Sequence, residues 1–326
     1  MERVVNDEKK YRVVSLFAGI GGIDLGFDFA GFDVIWANDF DKYAVQTYKK
    51  NVSENVVCAD ITTITDQIPE HDVLIGGFPC QPFSTLGKLK GFEDEGRGNL
   101  FFTIIDIIKE YDTRVVVLEN VKNLVNHDNG NTFKVILNEF DKAGYDVHFQ
   151  VLNSVDFGVP QRRNRIFIVA FNRKYYRAAE FTFPKPQKLT VTTQDLLDEY
   201  VDESYFLTRN IAKTILSTGT KNYHANPTID LPISKTLCAT MHKMHRACQD
   251  NYVTDEKNYR RFNNPERINI RKLTPNECRK LQGFPSDWVQ VVSDCQAYKQ
   301  FGNAVTVNVA YAVAQAVMQF MEENQI

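Results

Sequence analysis

The chain has 326 residues, of which 43% are hydrophobic and 24% charged, and its formal net charge is −3 at pH 7. This length and apolar content suffice for a sizeable core, in two domains or in one domain with a large insertion. The charged start, MERVVNDEKKYR, has no apolar signal core, and apolar runs such as residues 115–118 are far too short to cross a bilayer. We therefore expect a cytoplasmic protein with no membrane partner.

Cysteine spacing and charge distribution further limit the class of protein that this sequence can encode. The six cysteines are scattered, with no Cys-x-x-Cys pair, which disfavours a zinc ribbon and a disulfide framework. Residues 1–157 hold 15 Lys and Arg against 25 Asp and Glu, whereas residues 158–188 hold eight against one and residues 205–285 hold 14 against six. Positive charge confined to the second half suits a protein that binds a polyanion on one face, with a merely solvated basic surface as the alternative.

The first half alternates β-branched runs with segments of helical period. The predicted strands are 12–18, 32–38, 56–60, 72–78, 114–120, 147–153 and 165–171. The predicted helices are 22–31, 41–51, 100–111 and 132–144. This alternation predicts an α/β fold with a doubly wound, mostly parallel sheet. No helix separates the last two strands, so we expect that pair to be antiparallel.

The second half follows a different pattern. Residues 190–270 mix short strands, histidines and basic residues with little helical period, which predicts a smaller irregular domain. A helix is then predicted over 274–284, because Thr274 and Glu277 have the spacing of a capping box.

The end of the chain is predicted to rejoin the first domain. The stretch 303–321 is a long apolar helix, too hydrophobic to stand alone, and we expect it to complete the helical layer over the sheet. We therefore predict one domain from residues 1–185 plus 295–326 and a second from residues 186–294.

A glycine turn follows the first predicted strand, in SLFAGIGG. Gly19, Gly21 and Gly22 let the backbone turn sharply and approach a ligand at the carboxyl edge of the sheet. Asp39 ends the second strand, where a carboxylate can accept hydrogen bonds from ribose hydroxyls. Asp60 ends the third strand, where it can accept from an adenine amino group.

Phe40 and Ile61 would flank the base of such a nucleoside. The spacing Gly-x-Gly-Gly differs from the Gly-x-Gly-x-x-Gly of nicotinamide dinucleotide binding, so the pattern favours S-adenosylmethionine over NAD. Either aspartate by itself is equally compatible with an ordinary strand-end cap.

The stretch GGFPCQPFS places Cys80 between Pro79 and Pro82, directly after the fourth strand. Prolines on both sides exclude a regular helix and stiffen the loop. In a doubly wound sheet the ends of strands meet at the ligand crevice, so we expect the sulfur beside the methyl group of the cofactor. A cysteine thiolate is intrinsically very nucleophilic, which makes Cys80 the candidate nucleophile rather than an inert buried thiol.

Two further strands supply charged candidates. Glu119 ends the strand after that of Cys80, where it is a candidate acid or hydrogen-bond partner for a substrate ring. In PQRRNR, Arg163 and Arg165 are predicted to lie on one side of a strand by period-two alternation. A guanidinium there can donate to a base carbonyl or to a phosphate, or form an edge-strand charge pair.

These motifs resemble the cytosine-5 DNA methyltransferase family, in particular compact bacterial or phage enzymes of modification systems. The resemblance covers the chain except for about residues 190–268, by analogy the target-recognition region. It rests on six ordered motifs: FAGIGG, GFPCQPFS, ENVKN, QRRNRIFIV, RKLTPNECRKLQGFP and QFGNAVTVNVA.

The resemblance implies a role for each catalytic candidate. Cys80 would attack carbon-6 of a cytosine, and Glu119 would hydrogen-bond the ring nitrogen and exocyclic amine as charge develops. Arg165 would hold the base carbonyl, and Arg163 would support the cysteine loop. Residues 81–98 would form a mobile lid over the site.

The resemblance also implies a Rossmann-like S-adenosylmethionine pocket. Members of the family often carry tryptophan and glutamate where this chain has Phe40 and Asp39, so the detailed fit differs. By analogy the pocket is lined by Phe17, Gly19, Ile20, Gly21, Gly22, Asp39, Phe40, Asp60, Ile61, Pro79, Leu100, Asn303 and Ala304.

The implied substrate is a short specific sequence of double-stranded DNA, from which the cytosine is flipped out of the helix, as is general for enzymes that modify a base within a duplex. We expect residues 235–246 to carry sequence specificity through the major groove. The expected protein is a monomer located with the nucleoid, and a restriction endonuclease acting independently is a possible companion.

Four alternatives are weighed against this interpretation. Methylation of transfer RNA would be accompanied by a Cys-Phe-Thr signature, which is absent. A non-catalytic DNA-binding regulator would predict loss of Cys80 or Glu119. A redox role for Cys80 would need a resolving cysteine. His242 and His245 have the spacing of a metal pair but no third ligand at helical spacing, so we predict no metal.

Overall fold

The computed structural model describes residues 10–79, 100–176, 180–220, 222–262 and 264–325. The chain forms two compact units, which we call the sheet unit (2–152, 164–185 and 309–326) and the inserted unit (153–163 and 186–308). This division assigns residues 153–163 and 295–308 differently from the predicted domains, 1–185 plus 295–326 and 186–294.

The sheet unit contains a seven-stranded sheet in the order β3-β2-β1-β4-β5-β8-β6. Its strands are β1 (Arg12–Leu16), β2 (Asp33–Asp39), β3 (Val56–Cys58), β4 (Val73–Gly76), β5 (Val115–Val121), β6 (Tyr145–Asn153) and β8 (Asn164–Asn172). Neighbouring strands from β3 to β5 pair in parallel, whereas β8 runs antiparallel to β5. The predicted α/β class and the mostly parallel sheet are therefore confirmed.

The helices of the sheet unit follow the predicted order. They are α1 (Gly22–Phe29), α2 (Lys42–Asn51), α3 (Leu100–Glu110), α4 (Asn131–Lys142) and α9 (Val307–Asn324). A 3-10 segment over Lys122–Gly130 was not predicted; Asp128, Asn129 and Gly130 have successive positive φ values of 50°, 53° and 83° before α4 begins.

A continuous apolar core fills one side of the sheet. Inward side chains of β1, β4, β5 and β8 pack against α3 and α4, with Phe101, Ile104 and Ile136 among those at 0% exposure. The near-continuous apolar runs of these strands arise because both faces of a doubly wound sheet are covered.

Helix α9 packs closely against α1. A Cβ added to Gly26 of α1 would lie 2.5 Å from the Ala310 Cβ, so only glycine permits this approach. The return of the last helix to the first domain is therefore confirmed. The helical run Asp294–Asn324 is long and apolar enough to cross a membrane, but 61% of its most apolar window is buried within the protein, as expected of a core helix.

The inserted unit is made of short elements. Its strands are β7 (Gln161–Arg162), β9 (Phe206–Thr208), β10 (Gly219–Thr220), β11 (Tyr223–His224), β12 (Ser234–Lys235), β13 (Tyr252–Thr254) and β14 (Arg267–Lys272). Its helices are α5 (Arg209–Ile215), α6 (Glu256–Phe262), α7 (Pro275–Lys280) and α8 (Asp294–Asn303). Strands β13, β14 and β9 form an antiparallel sheet, and β12 pairs in parallel with β7.

A buried charge network organises this unit. Arg271 is fully buried, and its guanidinium donates to both carboxylate oxygens of Glu277 at 2.7 and 2.9 Å and to Asp255 at 2.7 Å. Glu277 also accepts from the Thr274 amide while Thr274 caps the helix, which confirms the predicted capping box. A bidentate pair of this kind fixes the geometry of the chain around it.

Breaking this network should unfold the protein more readily. We expect Glu277→Gln to lower the free energy of unfolding by about 3 kcal/mol, because it leaves the buried Arg271 charge without its bidentate partner. Urea denaturation followed by circular dichroism measures the loss. The control is Glu256→Gln, which breaks the largely exposed pair with Arg260 and should leave the free energy of unfolding nearly unchanged. Equal losses in the two variants would contradict the assignment.

Candidate active site

The ends of β1 and β4 lie level with Leu118 of β5 in the sheet unit. Leu16 of β1 is the register partner of Gly76 in β4, and Gly76 is the partner of Leu118 in β5. The loops after β1 and β4 therefore leave the sheet at the level of Glu119, which itself stays paired with β8. Since β1 also pairs with β2 on its other side, this edge is the topological switch point of the sheet, where ligands of α/β proteins bind.

Close backbone approach at this edge depends on a glycine. A Cβ added to Gly76 would lie 2.7 Å from the carbonyl oxygen of Leu16, closer than real Cβ contacts allow. Any larger residue at position 76 would push β4 away from β1. Gly76, the first glycine of GGFPCQPFS, thus fixes the spacing between the loops that follow β1 and β4.

The glycine turn after β1 is held in an unusual backbone conformation. Phe17 has φ 55°, in the left-handed region that side chains other than glycine rarely adopt, and Gly19 follows at φ 57°. The Ala18 amide donates to the Asn38 carbonyl at 2.9 Å, which ties the turn to the end of β2. Strain of this kind is typical of a ligand-binding turn that its surroundings hold in place.

Asp39 holds the same turn from the other side. Its Oδ2 accepts from the Gly19 amide and its Oδ1 from the Asp41 amide, each at 2.8 Å. Asp39 was predicted to serve ribose hydroxyls; the structure adds a positioning role, since both oxygens already accept from the backbone. A carboxylate oxygen can accept more than one hydrogen bond, which is the property that recognition of ribose hydroxyls requires.

The neighbouring strand ends fit a nucleoside. Phe40 is 77% exposed, the largest exposure among the large hydrophobic residues described. Asp60 is exposed, and both hydrogen bonds that it accepts from Thr62 use Oδ1. An exposed aromatic ring beside a carboxylate is what stacking on adenine and recognition of its amino group require. The residues present therefore fit the adenosyl part of S-adenosylmethionine.

The remaining predicted pocket residues of the sheet unit lie near these strand ends in sequence. Ile20 is buried in the turn, Gly22 begins α1, and Ile61 is buried in the 3-10 turn after β3. Pro79 is exposed after β4, and Leu100 begins α3.

Glu119 and Arg165 form an ion pair at the same edge. Glu119 is 8% exposed, and its Oε1 lies 3.0 Å from Arg165 Nε. The pair is diagonal across the antiparallel β5–β8 ladder, in which Val121 opposes Arg165 and Glu119 opposes Phe167. A buried carboxylate whose orientation is fixed by a guanidinium is suited to hydrogen-bonding a polar ring.

The segment leading to Cys80 is anchored beside Glu119. A Cβ on Gly77 would lie 3.4 Å from Glu119 Oε2, and the Asn120 side chain donates to the Phe78 carbonyl at 2.9 Å. Cys80 itself and the predicted lid 81–98 lie outside the described residues. Asn120 was not predicted to act here, although it stands in the ENVKN motif next to Glu119.

Arg163 differs from its prediction. The strand is interrupted between Arg162 and Asn164, so Arg163 and Arg165 do not share one face of a strand, and the period-two argument was wrong. Arg163 is 2% exposed in the inserted unit and donates to main-chain carbonyls, among them that of Ala304 at 2.6 Å. Asn303, exposed at the end of α8, and Ala304 belong to the same unit.

A buried acid that the sequence did not indicate lies behind the glycine turn. Asp24, in the first turn of α1, accepts from the Tyr48 hydroxyl at 2.7 Å. The Tyr48 ring supports the turn, since a Cβ on Gly21 would lie 3.1 Å from it. Burial raises the pKa of Asp24 to about 6, against the lowering effect of the Tyr48 and Ser15 hydroxyls, while nearby Asp39 raises it further.

The described residues contain no group of three or more His, Cys, Asp or Glu side chains placed to hold a metal ion. His242 instead contacts the Ala239 carbonyl, and His245 contacts the Thr240 hydroxyl.

The chain is similar to known methyltransferases in sequence and in fold. The sequence model of the C-5 cytosine-specific DNA methylase family matches residues 11–319. Type II methyltransferase M.SsoII of Shigella sonnei is 40% identical over 97% of this chain and 82% of its own length. Type II methyltransferase M.Bsp6I of Bacillus sp. (strain RFL6) is 39% identical over 95% of this chain and 99% of its own. The crystal structure of S. pombe Dnmt2 methyltransferase superposes with a TM-score of 0.72 at 18% identity, covering 96% and 99% of the two chains, which shows the shared fold.

The fold and the strand-end site define a Rossmann-like methyltransferase. The chain belongs to the C-5 cytosine-specific DNA methylase family and is a DNA cytosine-5 methyltransferase. The family predicted from the six sequence motifs is therefore confirmed.

The buried Asp24 carboxylate should make stability depend on pH. The pKa of Asp24 is about 6 in the folded protein against the ordinary aspartate value of 3.8, so the folded state holds the proton more tightly and stability falls as pH rises from 4 to 6. Above pH 6 the buried charge costs about 3 kcal/mol. Asp24→Asn removes the charge and keeps an acceptor for Tyr48, so we expect a higher Tm, with a larger gain at pH 8 than at pH 5.

Differential scanning fluorimetry at the two pH values measures this effect. The control is Asp66→Asn, which removes an exposed carboxylate and should leave Tm nearly unchanged. A lower Tm for Asp24→Asn at pH 8 would show that the ionised carboxylate stabilises the turn instead.

Proposed function

We propose that the protein transfers a methyl group from S-adenosylmethionine to carbon-5 of a cytosine flipped out of double-stranded DNA, through a covalent adduct with Cys80. The observation that carries the proposal is the position of the Glu119–Arg165 pair beside the Gly77–Pro79 segment. The Gly77–Pro79 segment follows β4 at the same edge of the sheet as the glycine turn that follows β1. A nucleophile, an acid and a cofactor turn are the parts that this reaction needs.

The proposed chemistry uses the cysteine as a temporary substituent. The Cys80 sulfur adds to carbon-6 and makes carbon-5 nucleophilic. After carbon-5 has gained the methyl group, loss of its proton and elimination of the sulfur restore the ring. Carbon-6 is hidden in stacked DNA, so the base must leave the helix before the sulfur can reach it, as is general for enzymes that modify a base within a duplex.

Glu119 and Arg165 would hold the flipped ring. The Glu119 carboxyl group would hydrogen-bond the ring nitrogen and amine, and the Arg165 guanidinium would donate to the base carbonyl. Their mutual contact at 3.0 Å fixes both groups before the substrate arrives. Preorganisation of this kind lowers the barrier because little rearrangement remains for the reaction step.

S-adenosylmethionine, when bound, supplies an electrophilic methyl group. The turn from Phe17 to Gly22, with Asp39, would hold the amino acid and ribose parts, and Phe40, Asp60 and Ile61 the adenine. We keep Pro79, Leu100, Asn303 and Ala304 as proposed lining residues.

Sequence recognition is assigned, as a proposal, to the inserted unit. Residues 205–285 carry 14 basic against six acidic residues, as phosphate binding requires. Within them, residues 235–246 offer hydroxyl, histidine and basic side chains for base edges. The enzyme would act as a monomer in the cytoplasm, as the modification partner of a restriction endonuclease.

The covalent step has a direct test. Wild-type protein incubated with S-adenosylmethionine and duplexes containing 5-fluorocytosine should form a permanent adduct, because the fluorine cannot leave as the proton does. Peptide mass spectrometry should locate the adduct at Cys80. Bisulfite mapping on ordinary unmethylated DNA identifies the site and the cytosine modified.

Cys80→Ser completes this test. The variant should lose methyl transfer and adduct formation but keep its affinity for S-adenosylmethionine, while Cys295→Ser, an exposed thiol of α8, should keep all three. Normal turnover by Cys80→Ser would contradict the proposed mechanism.

The cofactor site has a separate test at Asp39. Asp39→Ala removes the acceptor of the Gly19 amide and should raise the Kd for S-adenosylmethionine by about tenfold or more, measured by calorimetry. Asp39→Asn keeps one oxygen and should have a smaller effect. Asp33→Ala, at the opposite end of β2, is the control. An unchanged Kd in Asp39→Ala would place the cofactor elsewhere.

A further inference from the structure

A buried polar network in the inserted unit surrounds Gln161 and Arg163. Strand β7 contains Gln161 and pairs in parallel with β12. Residues 236–248 follow β12 along the chain, so they begin beside this network. Gln161 is 0% exposed and Arg163 is 2% exposed. Neither side chain was predicted to contact the recognition region.

Arg163 connects two distant segments through their main chains. Its Nη1 donates to the Leu237 carbonyl at 3.0 Å, and its Nη2 donates to the carbonyls of Gly302 and Ala304 at 3.0 and 2.6 Å. Because the acceptors are backbone carbonyls, the contact fixes where the chain lies whatever side chains it carries there.

Gln161 reinforces the same connection. Its Oε1 accepts from the Leu237 amide at 2.9 Å, so both the amide and the carbonyl of Leu237 are held. The Nε2 of Gln161 donates to the Leu281 carbonyl at 2.6 Å. Gln282 then donates to the Phe301 carbonyl and accepts from the Thr306 hydroxyl. A buried network of hydrogen bonds to main-chain groups favours one arrangement of the chain.

Gly302 brings α8 into direct contact with the start of the recognition region. A Cβ at this position would lie 2.2 Å from the Ala239 amide nitrogen and 2.3 Å from the Cys238 carbonyl carbon. The turn beyond is built on the same residues, since the Met241 amide donates to the Cys238 carbonyl and His242 contacts the Ala239 carbonyl. A shift of residues 238–239 would therefore move the residues after them.

We propose that Arg163 and Gln161 are positioning residues for sequence discrimination, which set the location of residues 237–239 and thereby of the rest of the recognition segment, residues 235–246. The inference rests on the proposed function, in which residues 235–246 read the DNA sequence. It assigns Arg163 a different part from its resemblance-based role as a support of the cysteine loop. Hydrogen-bond readout of base edges is lost with small displacements, so the start of the segment must be fixed.

Gly302→Ala tests the contact without altering the network side chains. Alanine is a better helix former than glycine, so the change does not strain α8 itself, but its Cβ must displace residues 238–239. Arg163→Lys is the second variant, because one ammonium group cannot serve three carbonyls in the guanidinium geometry. Cys295→Ala, on the exposed first turn of α8, is the matched control.

The measurement is kcat/KM on duplexes that carry the bisulfite-mapped site and on duplexes with each single-base substitution in that site. We expect Gly302→Ala and Arg163→Lys to reduce the ratio of mapped to substituted sites by about fivefold or more, within the range that one base pair contributes. The change should appear mainly in KM for DNA, with the Kd for S-adenosylmethionine within about twofold of wild type. Circular dichroism checks folding, and Gly302→Ala decides alone if Arg163→Lys does not fold.

The possible outcomes distinguish the positioning role of Arg163 and Gln161 from the proposed function. Rates that fall equally on all duplexes, with the ratio unchanged, would overturn the positioning role while leaving the proposed function intact. A fall in kcat alone on every duplex would indicate that Arg163 acts at the reacting site, and it would overturn the positioning role. A wild-type protein that methylates no cytosine would overturn the proposed function and this inference with it.

Discussion

The common level of Leu16, Gly76 and Leu118 is the constraint on which the site depends. These residues are register partners, so the glycine turn and the Gly77–Pro79 segment leave the sheet at the level of Glu119 in β5. This register needs a residue without a Cβ beside the Leu16 carbonyl. A slip of one residue in either pairing would move one loop by about 3.3 Å and turn its side chains to the opposite face.

Hydrogen bonds then lock the ends of neighbouring strands to one another. The Ala18 amide binds the Asn38 carbonyl, and the Asn38 side chain donates to the Ala59 carbonyl at 2.9 Å, so β1, β2 and β3 are tied at their carboxyl ends. Asp39 adds the bond to Gly19. A turn held on several sides can keep Phe17 in a strained conformation, and it presents its amides to a ligand without first having to order them.

Local sequence rules predicted the features that depend on near neighbours. Strand–helix alternation gave the sheet and its order of elements, and the spacing of Thr274 and Glu277 gave the capping box. Features that depend on partners far along the chain were missed, above all the contact of Arg163 with the carbonyl of Ala304, 141 residues away. Alternation along PQRRNR carries no sign that the strand stops at Arg163. The polar bond from Asn120 to Phe78 likewise depends on strand register, which periodicity does not specify.

The path of the chain has a consequence for how such an enzyme can be divided. The polypeptide passes between the sheet unit and the inserted unit four times, at 152/153, 163/164, 185/186 and 308/309. Neither unit is one uninterrupted stretch, so no single truncation yields either as an autonomous fragment. Recombination that replaces 186–308 must also preserve compatibility with the short 153–163 stretch encoded upstream. Modular exchange between relatives is therefore constrained by a separate piece of the gene.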